Sequence, residues 1–286
     1  MDPRQQLRYR KTHKNTHKKN LVNPKVLGVK LIQPLGNLLK SSVKLNESPG
    51  RCQCLATCPK PSLPGKAFCS NHMKFCPRRA PLSGSEPKYE PNRWNAEDAV
   101  RLTHNCFSYA YNIMDPKQIE GCKNDPRCDL PFHQPGSESG YPRFNDTDPK
   151  TCPNMIARLM GDNPKRILPS AFELKCPRGT SKIALVVDED QDYHFLRQDA
   201  PNGSKASAGS NVGMFSQKSG AMPVTNLDAK GHEIFDVALA DHNFDNRRRK
   251  DPLNYDRFCG YFCIPRHEPL FIKTGGGRYK KTRRRL

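Results

Sequence analysis

The chain has 286 residues, with 48 Lys and Arg against 28 Asp and Glu, a formal charge of +20. A hydrophobic fraction of 35% and a mean hydropathy of -0.82 allow a core only if long stretches of chain stay outside it. No apolar run approaches the ~18 residues of a membrane span, so no transmembrane segment is expected, and the charged N-terminus lacks the apolar core that a secretory signal would place after it.

The charge sits at the ends. Residues 1–20 carry Arg4, Arg8, Arg10, Lys11, Lys14, Lys18 and Lys19 against Asp2 alone, and the last nine residues carry only cations, from Arg278 to Arg285. Such arms bind polyanions by counterion release or lie along acidic protein surfaces. Between Leu21 and Leu45 an apolar pattern is broken by Pro34 and Gly36, and Leu27, Val29 and Leu31 alternate as a strand would. Residues 1–50 therefore read as a basic and apolar extended arm that docks on a neighbour or on the body of the chain.

Residues 51–80 form a Cys/His module with the spacing Cys52-x-Cys54-x3-Cys58-x10-Cys69-x2-His72-x3-Cys76. Zinc takes four soft or borderline ligands in a tetrahedron, and short pairs place two ligands on one turn. The favoured set is Cys54, Cys58, Cys69 and His72, with Cys52 and Cys76 as alternates; four protein ligands would make the zinc structural. Twelve cysteines without a secretion signal lead to the expectation of a reducing compartment, with thiols as metal ligands or nucleophiles.

Residues 81–93 are a Pro/Ser/Gly linker. A short helix is expected over 95–100 and another from Cys106 to about Met114, where Asp115-Pro116 ends it. Residues 121–150 read as loop, within which Cys122, Cys128 and His133 are weak candidates for a second metal site. A further helix is expected over 153–161, from the spacing of Met155, Ile156, Leu159 and Met160. Strands are expected at 182–187, 193–197, 214–218 and 256–265. Alternation along the second puts Tyr193, Phe195 and Arg197 on one face and His194 and Leu196 on the other. A thiol at a helix N-terminus (Cys106) and an imidazole on a nearby strand (His194) are two halves of a cysteine-hydrolase site.

Four stretches carry a resemblance. They are His104-Asn105-Cys106-Phe107-Ser108-Tyr109-Ala110, Gln134-Pro135-Gly136 with Ser139-Gly140, Asp192-Tyr193-His194-Phe195-Leu196-Arg197-Gln198-Asp199, and Phe215-Ser216-Gln217-Lys218-Ser219-Gly220. In this order they resemble the NlpC-type group of papain-like cysteine hydrolases, as found in bacteria and in large nucleocytoplasmic DNA viruses. The likeness spans roughly residues 94–266, and the Cys/His module is similar to one that recurs in proteins of such viruses, which points to a virion protein of the chlorella-virus kind.

The resemblance implies an α+β fold, a papain-like helix packed on an antiparallel sheet over 94–268, preceded by the zinc module and followed by a basic tail at 269–286. By position, Cys106 would be the nucleophile, His194 the base and Gln217 the group that orients the imidazole. The family usually has Trp and His where this chain has Phe215 and Gln217, and glutamine cannot share the imidazole's charge. Two readings are open. One is a minor-capsid-type structural protein of a large DNA virus, residing in the virion and in host cytoplasm during assembly. Its arms would bind other virion proteins, or nucleic acid through the basic tails. The other is an active cysteine peptidase or amidase.

Overall fold

A computed structural model describes residues 43–44, 50–125, 128, 130–144, 148–201, 213–245 and 253–266. Of the two units into which the chain divides, Met1–Gln33 falls outside these residues, and every described element belongs to the second, Pro34–Leu286. The basic ends, the alternating run at Leu27–Leu31 and most of the 200–213 insertion also lie outside the described residues.

Among the described residues, five short helices and six strands form a mixed α+β structure. In chain order they are β1 (Val43–Lys44), α1 (Pro91–Asn95), α2 (Asp98–Thr103), α3 (Cys106–Tyr111), α4 (Pro116–Cys122), α5 (Cys152–Asp162), β2 (Leu168–Ser170), β3 (Thr180–Asp188), β4 (Asp192–Gln198), β5 (Phe215–Gln217) and β6 (Arg257–Pro265). The strands make one antiparallel sheet in the order β1-β6-β3-β4-β5, with β2 also paired to β6.

Local chemistry sets the helix ends. The side chains of Asn105, Asp115 and Thr151 accept hydrogen bonds from Ser108, Lys117 and Asn154 N–H, satisfying donors that the first turn leaves open. Asn112 closes α3 in the left-handed region at φ 58°. Proline starts α1 and α4, where its missing N–H costs nothing.

The sheet is covered on both faces. On one, α3 and α5 bury Phe107, Ala110, Met155, Ile156 and Leu159 against Leu185, Val187, Tyr193 and Phe195. On the other, the 52–80 segment packs Phe68 and its cysteines with Val186, Leu196, Phe215, Phe235 and Tyr261. This accounts for the unbroken apolar run in β3, which has no solvent face to supply with polar residues. The Cys/His segment thus shares a core with the sheet. Gln53 ties the two: its Oε1 accepts from Phe235 and Asp236 N–H and its Nε2 donates to the Glu233 carbonyl.

Eight of the twelve cysteines form disulfides: Cys54–Cys76, Cys122–Cys128, Cys152–Cys259 and Cys176–Cys263. This differs from the expectation that the thiols serve as metal ligands or nucleophiles, since these eight are paired with one another. It also removes Cys122 and Cys128 as metal ligands, and takes Cys54 from the favoured zinc set. No helix among the described residues is long and apolar enough to cross a membrane.

Candidate functional site

Cys106 is the first residue of α3 and is buried under the sheet. Asn105 caps the helix and, through its Nδ2, donates to the His133 carbonyl, so the loop before α5 fixes where the helix begins. The thiol lies against the backbone of β4, donating to the Tyr193 carbonyl at 3.9 Å. Burial pushes its pKa up to about 12, with the Asp192 carboxylate adding to the rise.

His194 opposes Val186 in the β3–β4 ladder. Its imidazole stacks on Tyr255 at 5.3 Å, and Val186 and Tyr255 both belong to the core on the module side of the sheet. Tyr193 and Phe195, its neighbours in β4, belong to the helix-side core with Cys106. Gln217 Nε2 donates to the Leu227 carbonyl, which turns Gln217 Oε1 toward the ring, and His194 Nε2–H donates to that oxygen at 2.8 Å. Gln217 therefore fixes the imidazole's tautomer. Burial, with His242 nearby, pulls the His194 pKa down to about 3.

The predicted residues are thus brought together in part. His194 and Gln217 are bonded, and Cys106 and His194 both line a cavity of about 250 Å³ with Asn105, Gln134, Asp192 and Tyr193. The sulfur, however, packs with one core and the imidazole with the other. Burial raises the thiol and lowers the imidazole, and both shifts disfavour a thiolate–imidazolium pair.

Sequence reasoning did not anticipate the polar groups around α3. Ser108 Oγ bonds His133 Nδ1 at 3.0 Å, and His133 Nε2 lies 3.6 Å from Asp115. All of Ser108 and nearly all of His133 is buried, so the group braces the helix against the 131–135 loop and is closed to a substrate. Lys218 is also buried, its Nζ donating to the Arg101 and Gly220 carbonyls, and burial lowers its pKa to about 7. Asp162 accepts from Gly136 N–H, Ser139 N–H and Ser139 Oγ, holding the Gln134–Gly140 turn. The Gln-Pro-Gly motif was a signal for that turn, but Asp162 lies far along the chain and nothing local marked it.

The second centre is in the 52–80 segment. Cys52, Cys58, Cys69 and His72 place their ligand atoms within 4.8 Å of one another and could hold a metal ion. His72 Nδ1 is 3.2 Å from Cys52 Sγ and 3.5 Å from Cys69 Sγ. Relative to the favoured set of Cys54, Cys58, Cys69 and His72, Cys52 replaces Cys54, and the other alternate, Cys76, is Cys54's disulfide partner. In a Cys-x-Cys pair either sulfur can turn inward; here the inward one is Cys52. Burial pushes the Cys52 thiol up to about 11.

No family model matches the chain, and no solved structure does. Among known proteins it is similar to insoluble matrix shell protein 1 of Ruditapes philippinarum, 29% identical over 156 residues, covering 54% of this chain and 80% of that protein.

Proposed function

We propose that this chain is a structural protein of an assembled shell, built on a papain-like layout whose thiol is not activated. The observation that carries this is the Cys106 environment. The sulfur is buried against β4 backbone, and the imidazole that would have to deprotonate it stacks on Tyr255 of the other core. What remains is a two-sided sheet in a chain with four disulfides, two of them anchored in β6, suited to durability in an oxidising place such as a particle or cell surface. The resemblance to proteins of large DNA viruses favours the virion, with the basic ends holding neighbouring virion proteins or nucleic acid. The similarity to a molluscan shell-matrix protein favours the same role in an extracellular matrix. Both readings share an insoluble assembly as the working state.

The Cys52/Cys58/Cys69/His72 cluster takes zinc in this reading. Tetrahedral zinc with bonds of about 2.0–2.3 Å sets its ligand atoms roughly 3.3–3.8 Å apart, and the two sulfur–nitrogen separations of 3.2 and 3.5 Å are close to that. Four protein ligands close the site, so the metal supplies rigidity and no chemistry.

The test is native alkylation with N-ethylmaleimide at pH 7.5, with sites mapped by mass spectrometry, alongside peptide and amide hydrolysis assays. Cys106 is expected to stay unlabelled until the fold is opened, with no hydrolysis detected. Rapid labelling of Cys106, with a hydrolytic activity that disappears in Cys106→Ala, would establish the enzyme reading instead. Fractionation of the source material is expected to place the protein in the insoluble, assembled fraction; recovery as a freely soluble monomer contradicts the proposal.

A further inference from the structure

The segment from Cys52 to Cys76 contains five cysteines, an odd number. All five are buried at 8% exposure or less and belong to one core. One pair, Cys54–Cys76, is oxidised, and Cys52, Cys58 and Cys69 are free. The disulfide is interleaved with the ligands: Cys54 lies between Cys52 and Cys58, and Cys76 lies four residues beyond His72. Three thiols beside a disulfide, in a protein whose other cysteines except Cys106 are all paired, need something that withholds them from exchange.

We propose that metal occupancy of Cys52, Cys58, Cys69 and His72 keeps Cys54–Cys76 the single disulfide of this segment, a role that rests on the zinc reading of this cluster and deepens it. Removing three sulfurs from five leaves two, and two can pair in one way. Without the metal the count no longer selects. The Cys52 thiolate attacks Cys76 Sγ, the Cys52–Cys76 bond forms, and the Cys54–Cys76 bond breaks. Cys54 departs as the thiolate and takes the proton that Cys52 gave up. No electrons are gained or lost, so the exchange needs no oxidant. Cys58 and Cys69 can attack in the same way. Metal coordination stops each route by occupying the attacking lone pair.

The experiment uses the full chain. Metal content is first measured by elemental analysis, as purified and after incubation with Zn²⁺. The protein is then held at pH 8 without reductant, with Zn²⁺ or with a zinc chelator, quenched in acid and alkylated, and its cysteine-linked peptides are mapped. With metal, Cys54–Cys76 is expected as the sole linkage in the segment. With chelator, its exclusivity is lost, and Cys52–Cys76 and other pairings accumulate. His72→Ala removes one ligand and no sulfur, so it should show the same mixture at zinc concentrations where the parent shows none. A metal-loaded protein that keeps only Cys54–Cys76 after verified stripping, and in His72→Ala, overturns the inference while leaving the site intact. A chain that takes up no metal at all overturns the metal-site reading itself. The elemental analysis separates these two failures.

Discussion

Cys152 begins α5 and Cys259 lies in β6, so their disulfide ties the helical layer to the sheet across a sequence separation of 107. Cys122–Cys128 closes a separation of only 6. If disulfides act mainly by restricting the unfolded chain, the first contributes about 4.8 kcal/mol and the second about 2.4 kcal/mol. Cys152 and Cys259 are also both buried, so replacing them with alanine loses packing in the same direction. The double variant Cys152→Ala/Cys259→Ala should therefore be at least about 2 kcal/mol less stable than Cys122→Ala/Cys128→Ala. With a urea m-value of about 3 kcal/mol/M, the midpoint should fall by roughly 1.6 M for the long-range pair and roughly 0.8 M for the short one. Equilibrium urea unfolding followed by tryptophan emission reports this directly, because Trp94 is buried against Tyr109. Equal shifts, or a larger one for the short loop, would refute the entropic reasoning. No shift for Cys152/Cys259 would mean that the bond is not formed in the native protein.

Three further outcomes are expected. Gln53→Ala leaves the Phe235 and Asp236 N–H groups without their shared acceptor, and should cost about 2–4 kcal/mol in the same urea assay; a loss under about 0.5 kcal/mol would show that the 52–80 segment is held by its apolar contacts alone. Tyr109→Phe removes the hydroxyl that bonds Ser216 Oγ at 2.7 Å within the buried Ser216–Asp199–Arg197 network, and should cost about 1–3 kcal/mol, with retention of wild-type stability counting against that network. The His194 pKa is lowered by folding, so its contribution is fully present above the unfolded value near 6.5 and is lost as pH falls toward about 3. Asp162, Asp192, Asp199 and Asp236, raised by burial, act in the opposite sense, so the comparison is between parent and His194→Gln between pH 6.5 and 4. The parent should lose more stability than the variant on acidification, and parallel curves would mean that His194 does not titrate as its burial requires.

Much of the sheet could be read from residue types. The β-branched run from Ile183 to Val187 and the aromatic alternation from Phe258 to Ile264 gave β3 and β6 to within two residues, because both are buried on two faces and carry little polar interruption. The spacing of Met155, Ile156 and Leu159 gave α5. The proline-started α1 and α4 were missed, since a single turn or two makes no periodic pattern. So was β2, whose Pro169 argues against a strand except at an edge, where it lies. Cysteine pairing was the least legible feature. Spacing said that Cys52 or Cys54 could ligate, but which one turned inward depends on Phe68, Phe235 and the sheet they pack on. The count of twelve said nothing of pairing, because the partners are 87 and 107 residues apart in the chain.

The separation of Cys106 from the His194 imidazole follows from the phase of β4. The helix-side core needs large aromatics opposite Phe107, and Phe195 fills that place, its ring 5.4 Å from Phe107 and 5.8 Å from Tyr193. Alternation then commits His194 and Leu196 to the other face. Bringing the imidazole under α3 would require a one-residue slip of the strand, which turns every side chain over. Tyr193 and Phe195 would leave the helical core, and Arg197, now bonded to Asp199, Asn112 and two backbone carbonyls, would lose its partners. Those interactions outweigh anything one histidine could gain, so a substitution beside the imidazole alone, such as Gln217→His, should leave Cys106 unreactive to N-ethylmaleimide in the native protein.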